Sequence, residues 1–510
     1  MYKAIIQEFS HLKHREAELP PLPNVAKYPK VVTRFSPNPD CVLHIGNIRA
    51  LILSHDYARK YDGKFILRFE DTDPRLKRSA LVFYDLIEED LIWLGCKWDE
   101  KFVQSDRLPI YYEWTRKLIL VGGAYVCTCP SSDFKEKIRL GIACPCRILD
   151  PSDNLVRFEA MLNGAYREGE AVVRVRTDLN HPNPAVRDWP ALRVIDTEKN
   201  PHPRVGSHYK AWPLYNLACG IDDHLMGITH IIRGKEHLTN TIRQQYMYRY
   251  LGWEFPEAIH YGRLKIVGID LSKSKLMQAM AQGVYSDYSD PRLATIAALR
   301  RRGITSQALR SVIHEVGPRP VDATISWENV NAVNRKIIDP IANRYFFVAD
   351  PVELEIEGVD HLYESAPPLH PDFPERGMRR LIVTPDHGKA YLLVSRRDQP
   401  ILESKRFVRL MELFNIEFQE SGTNLIKARF VSEPYSEARK HRAPLIHWLP
   451  RDGSNLRCSV VMPDASMLAG LCENTIINEH VGNLIQMVRT GFGRIDSINA
   501  NSVTIYFAHP

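Results

Sequence analysis

At 510 residues, with 44% hydrophobic and 25% charged side chains, the chain is too long for one ordinary core and too evenly mixed for a disordered or fibrous protein, so two to four domains are expected. No apolar run approaches the roughly 20 residues of a membrane helix, and the N-terminal MYKAIIQEFSHLKHREAELPPLP lacks the apolar centre of a signal peptide, which makes a cytoplasmic protein with no membrane partner the expectation. A net charge of +6 permits a nucleic-acid partner without demanding one.

Residues 1–27 read as a partly helical extension ending in a stiff linker at Pro20, Pro21 and Pro23. From 28 to 124 the pattern is strand, helix, strand, helix. Val31 and Val32 favour an extended strand, Pro37 and Pro39 end it, and Ile48, Leu51, Ile52 and Ala58 recur at helical spacing, so a helix starts near Gly46. GKFILRFEDTDP (63–74) reads as a second buried strand. In the helix after it Tyr84, Ile87, Leu91 and Leu94 share a face, and Gly95 ends it in a left-handed conformation. This order opens a doubly wound parallel sheet, an α/β Rossmann-type domain with ligands at the strand C-terminal ends.

Residues 125–210 break the rhythm with cysteines, prolines and strand-like pieces such as EAVVRVRTD, and read as an insertion. Residues 211–286 return to strands and helices that complete the same sheet. There Leu264, Ile266 and Val267 form another strand end before Leu271-Ser272-Lys273-Ser274-Lys275. A helical connector is expected over 287–345, where ATIAALRRRGI and SQALRSVIHEVG are amphipathic and Arg300, Arg301 and Arg302 read as a solvated face. From 346 to 510, LIVTP, AYLLVS, NLIKARFVS, LIHWLP, LRCSVVMP and SVTIYFAH are short β-rich runs divided by turn signals such as Asp452-Gly453. They predict an all-β module of barrel or sandwich type.

His44-Ile45-Gly46-Asn47 follows a strand and opens a helix, the context for a nucleotide phosphate, with His44 and Asn47 as hydrogen-bond donors and Gly46 admitting a flat base to the backbone. Alone, these four residues read better as a surface His in a loop followed by a helix-capping Asn. The lysines of LSKSK can deliver compact positive charge to the same phosphates, making a two-sided clamp with His44. Arg34, Glu70, Tyr215 and Arg233 sit at strand ends or in loops and together can hold both charges of an amino acid; singly, each reads better as a surface ion pair or a core-edge Tyr. Cys127, Cys129, Cys144 and Cys146 form two pairs with 14 residues between them, a spacing that suits one closed, structural Zn2+ site, against free thiols or redox pairs. Pro130, Ser131 and Ser132 suit a turn between them.

VVTRFSPNPD…LHIGN, LRFEDTDP and LSKSK resemble three signature regions of the class I aminoacyl-tRNA synthetases, and specifically the glutamyl-tRNA synthetases of archaeal type. VRDWPALRVIDTEKNPHPRVG, DDHLMGITHIIRGKEH and ISWENVNAVNRKIIDPIANRYFFV resemble internal blocks of the same family, so nearly the whole chain is covered. The resemblance implies a glutamate-tRNA ligase. Glutamate attacks the α-phosphate of ATP, with Mg2+ accompanying the nucleotide, and the glutamyl group then passes to the terminal adenosine of tRNA. It implies that His44, Gly46, Asn47, Ser272 and Lys273 bind ATP, with His44, Asn47 and Lys273 taking part in catalysis. Glutamate would be held by Arg34, Glu70, Tyr215 and Arg233. It further implies an acceptor-stem-binding insertion, β-barrels that read the anticodon, and a monomer. The partner is tRNA(Glu), with tRNA(Gln) left open. Cys41 and Val42 stand where this subgroup usually has Gly and Pro, and Asn47 stands where many class I enzymes have a second His.

A glutaminyl-tRNA synthetase shares the split sheet and β-module, but tends to PPEPN and FDDTNP where this chain has SPNPD and FEDTDP. A small nucleotidylyltransferase rarely needs the insertion, connector and β-module. A catalytically inactive tRNA-binding paralogue fits poorly with the joint presence of His44, Glu70 and Lys273.

Overall fold

The computed structural model describes residues 18–76, 78–268 and 273–510, which form two compact units. One comprises residues 18–282 with Arg310–Ile325; the other comprises Gly283–Leu309 with Ser326–Pro510. Among the described residues no helix is long and apolar enough to cross a membrane.

In the first unit, strand β1 (Val32–Phe35) leads through the proline turn into helix α1 (Ile48–Lys60), then β2 (Lys64–Phe69), α2 (Leu81–Trp93) and β3 (Glu100–Val103). The three strands are parallel in the order β1-β2-β3, and β2 is buried on both faces over Phe65–Phe69, as its near-continuous apolar run requires. Tyr84, Ile87, Leu91 and Leu94 are the buried face of the α2 segment, and Gly95 has φ +75°.

After helix α3 (Leu108–Leu120), strands β4 (Ala124–Cys127), β5 (Val172–Val175), β6 (Pro190–Val194) and β7 (Ala211–Pro213) form an antiparallel sheet. Helices α4 (Ser131–Leu140) and α5 (Pro151–Leu162) lie between its first two strands in sequence. The expected turn at Pro130-Ser131-Ser132 is the start of α4, with Pro130 at the N-cap. Strand β7 also differs from expectation, since it pairs with β6 and so continues the interrupting sheet.

Helix α6 (Tyr215–Leu225), β8 (His230–Gly234), α7 (Leu238–Leu251) and β9 (Glu257–Tyr261) resume the parallel pattern, and β8 pairs with β9. The seam to β1 is made at Thr229. Its N–H donates to Val32 O at 3.0 Å, and its hydroxyl accepts from Val32 N at 2.8 Å. Strand β10 (Leu264–Ile266) was expected in this sheet, but it pairs in parallel with β11 (Ala323–Ile325) as a separate two-stranded sheet. The stretch around Pro20–Pro23, expected as a linker, is packed: Leu19 and Leu22 are buried, Leu22 N donates to the Tyr61 hydroxyl, and Pro23 O contacts His230 Nε2.

The second unit holds two seven-stranded sheets, both barrel-like. Every β-rich run named above supplies a strand, and Pro351–Glu357 alternates buried and exposed positions as a half-buried strand should. The Arg300–Arg302 run is not a solvated face. On helix Ile296–Arg302, Arg301 is paired with Asp496 at 2.8 Å and lies over the Tyr506 ring; Arg302 is buried, donates to Ala508 O, and is pushed down to about 10 by burial.

Candidate active site and metal centre

A cavity of about 1030 Å3 opens at the C-terminal ends of β1, β2 and β8 in the first unit. Arg34, His44, Gly46, Asn47, Glu70, Tyr215, Arg233 and Lys273 all line it. Ser272 lies outside the described residues. The position follows from the parallel sheet: the loops after β1 and β2 leave the same edge, and Glu70 N donates to Pro37 O at 2.9 Å, tying them together.

In the loop after β1, Gly46 N–H donates to His44 Nδ1 at 3.0 Å, His44 N–H donates to Asn47 Oδ1 at 3.0 Å, and Asn47 N–H donates to His44 O at 2.8 Å. Two consequences follow. His44 accepts at Nδ1, so as a neutral ring it carries its proton on Nε2; Asn47 accepts through its oxygen, so both amide hydrogens remain as donors. Burial pushes His44 down to about 4, which keeps the ring neutral at physiological pH. Asn47 occupies the N-cap of α1 without a side-chain cap bond. Cys41 and Val42 are buried and neither has a left-handed backbone, so neither position requires a glycine. Lys273, the first residue of helix α8 (Lys273–Ala281), is ion-paired with Asp40 of the same loop.

The other charged groups are held by a buried network that the sequence reading missed. Arg34 Nε and Arg68 Nη1 both donate to Asp223 Oδ1, at 3.1 and 2.8 Å. Burial alone would raise the Asp223 carboxyl, but the Arg34 and Arg68 guanidiniums outweigh it and hold it below the usual carboxylate range. Arg68 Nη2 also donates to Glu70 Oε1 at 2.9 Å, and the Cys219 thiol reaches the same oxygen at 2.9 Å. Next to it, the fully buried Asp222 accepts from Gln104, Arg107 and Tyr111. The available signal was charge in the wrong place: Arg68 inside the apolar run of β2, and two acids inside helix α6.

Arg233 is 5% exposed, and its hydrogen-bond partners among the described residues are all neutral: the Tyr215 hydroxyl at 3.4 Å, Thr241 Oγ1 at 2.7 Å and Gln244 Oε1 at 3.0 Å. No carboxylate pairs with it among the described residues, and its Nε has no hydrogen-bond partner among them. Burial raises the Tyr215 hydroxyl well above its ordinary value, so it stays protonated. A buried cation with neutral neighbours suits an anionic group of a ligand.

Apart from the cavity, the Sγ atoms of Cys127, Cys129, Cys144 and Cys146 all lie within 4.8 Å of one another, with Cys127 to Cys144 at 4.0 Å and Cys129 to Cys146 at 3.8 Å. Four sulfurs about 2.3 Å from one tetrahedral ion stand about 3.8 Å apart, so the set fits Zn2+. Strand β4 supplies Cys127, and helix α4 carries the chain away before the second pair returns. Thr128 N–H and Arg157 Nη1 each reach Cys146 Sγ at 3.5 Å, which favours thiolate there.

Fold and cavity together define an α/β protein with a ligand-sized cavity at the C-terminal ends of its parallel strands. The chain matches the profile of the catalytic domain of class I tRNA synthetases (E and Q) over residues 30–340, and that of their anti-codon binding domain over 342–430, and it belongs to this family. A glutamate–tRNA ligase of Thermococcus kodakarensis is 52% identical over 512 residues, covering 100% of this chain and 87% of the relative. One from Pyrococcus furiosus is 53% identical over 500 residues, covering 98% and 85%. A solved glutamate tRNA ligase from Elizabethkingia meningosepticum, in complex with its amino acid, aligns with 20% identity and a TM-score of 0.42, covering 62% of this chain and 70% of that one.

Proposed function

We propose that the chain is a glutamate–tRNA ligase, which activates L-glutamate with ATP to glutamyl-adenylate and pyrophosphate and then esterifies tRNA(Glu). The observation that carries the glutamate reading is Arg233, buried at the cavity wall among neutral partners, with Arg34 lining the same cavity. Two guanidiniums match the two carboxylates of glutamate, whereas glutamine offers one. Glu70, fixed through one oxygen by Arg68 and Cys219, has its other oxygen for the substrate ammonium. The Tyr215 hydroxyl orders Arg233.

The α-carboxylate of glutamate attacks the α-phosphorus of ATP in line, and pyrophosphate departs. The acyl group then moves to a hydroxyl of the terminal adenosine and AMP leaves. His44 Nε2–H and the Asn47 amide donate to the nucleotide phosphates beside Gly46, while Ser272 and Lys273 also bind ATP and Lys273 stabilises the charge of the departing pyrophosphate. Mg2+ bound with ATP would supply further positive charge to the same phosphates. No covalent enzyme intermediate is required; the residues position and stabilise. Cys127, Cys129, Cys144 and Cys146 hold a structural Zn2+ within the 125–210 insertion, which receives the acceptor stem, while the β-barrels of the second unit read the anticodon. The enzyme acts as a monomer in the cytoplasm, where ATP and tRNA are found.

Pyrophosphate exchange measured with each amino acid, in the presence and absence of tRNA, tests this reading. Glutamate-dependent exchange is expected. Preference for glutamine would overturn it.

A further inference from the structure

Arg49 is the second residue of α1, two positions after Asn47, and is fully buried. Its guanidinium contacts three backbone carbonyls: Nε donates to Gly317 O at 3.0 Å, Nη2 to Gly317 O at 2.7 Å and Arg319 O at 3.1 Å, and Nη1 to Gly262 O at 2.5 Å. The Tyr261 ring lies 4.7 Å from it. No carboxylate forms an ion pair with Arg49 among the described residues; backbone dipoles and an aromatic face surround its guanidinium, with the Asp322 carboxylate acting on it from beyond ion-pair distance.

Those carbonyls mark the feet of a particular element. Gly262 lies two residues before the first residue of β10, and Gly317 and Arg319 precede β11, its parallel partner. The two feet touch: Gly262 N–H donates to Arg319 O at 2.9 Å, and a Cβ on Gly262 would stand 2.1 Å from the Val321 carbonyl carbon. Among the described residues this small sheet shares no ladder with β1–β9. From β10 the chain runs on to Lys273.

We infer that Arg49 is a positioning residue that fastens the β10–β11 sheet, and through it Lys273, to the helix that begins at the His44–Asn47 loop. Arginine suits the task because its rigid planar fork satisfies several divergent carbonyls at once, which the single ammonium of lysine does not. The inference rests on the role of Lys273 proposed above.

The test is a double-mutant cycle of Arg49→Lys and Lys273→Ala. Pyrophosphate exchange is read per active site, titrated by the burst of bound adenylate, with thermal unfolding followed in parallel. In the wild-type background Arg49→Lys should lower kcat about 10- to 100-fold, the scale of an ångström-sized misplacement, with KM for ATP little changed. In the Lys273→Ala background the same change should cost less than about threefold, because the group it positions is gone. Equal factors in both backgrounds, or a lowered Tm with unchanged kcat per site, would reduce Arg49 to a structural residue and overturn the inference. Undiminished exchange by Lys273→Ala alone would instead refute the lysine's role, and the inference with it. If Arg49→Lys does not fold, Arg49→Gln, which keeps a planar donor without the charge, carries the same cycle.

Discussion

Arg34 and Asp223 are 189 residues apart in the sequence and meet through a hydrogen bond from Nε to Oδ1 of 3.1 Å, with both side chains buried. Arg68 shares that oxygen. Asp223→Ala therefore strips two buried guanidiniums of one partner, and a loss of about 3–5 kcal/mol is expected, read as a lowered urea midpoint. The pH dependence has a definite sign. The folded carboxyl titrates below its unfolded counterpart, so its stabilisation is fully present above the unfolded value of about 4 and is lost as pH falls through the folded one. The stability gap between the wild type and Asp223→Asn should thus narrow below about pH 4; a gap constant from pH 7 to 3 would contradict this.

Replacing Arg233 by methionine removes the guanidinium held by Tyr215, Thr241 and Gln244. Charge-assisted hydrogen bonds contribute about 1.5–3 kcal/mol, so kcat/KM for glutamate should fall roughly 10- to 150-fold. KM for ATP should change little. Steady-state exchange at varied glutamate and ATP separates these effects, and an unchanged glutamate dependence would remove Arg233 from the substrate site.

His44 is pushed down to about 4 by burial. An unfolded histidine titrates near 6.5, so as pH falls below about 6.5 the unfolded chain takes up the proton first. The folded state accordingly loses stability between about pH 6.5 and 4 on account of this ring, and none above it. In the free enzyme the His44 resonance, identified by its loss in His44→Asn and followed by NMR of carbon-13-labelled histidine, should titrate below about pH 5. A midpoint near 6.5 would contradict the buried, neutral ring.

Metal analysis of protein purified without chelator should find about one Zn2+ per chain. Cys144→Ser should lower that content and weaken the β4–β7 sheet, detected as faster amide exchange in residues 124–213. Metal-free protein with an unaltered sheet would show that the four thiols pack without an ion.

The long periodic elements were legible in the sequence because each carries its own signal: β1, α1, β2 and α2 fall where apolar spacing put them. Three-residue strands carry no period, and their partners are remote in sequence. That is why β7 and β10 were assigned to the wrong sheet. The cavity-lining side chains were recognised as a set through family motifs, and the structure gathers the described ones in one cavity. Their supports were not. Arg68 and Asp223 are 155 residues apart, and neither position reveals the other. The same blindness to distant partners made Arg301 look solvated, since Asp496 lies 195 residues downstream.

The seam at Thr229 sets the order in which this protein can be made. β1 has β2 on one side within a few dozen residues, but its other neighbour is 197 residues further along the chain. A ribosome adding about 5–20 residues per second needs on the order of 10–40 s to cover that distance. Throughout that interval the nascent chain carries an unpaired strand edge, the kind of surface on which chains join one another. The antiparallel β4–β7 sheet is synthesised within the same interval, and its pairings are local by comparison, so it can close while β1 still waits. The catalytic sheet, first in sequence, is therefore among the last parts of its unit to be completed.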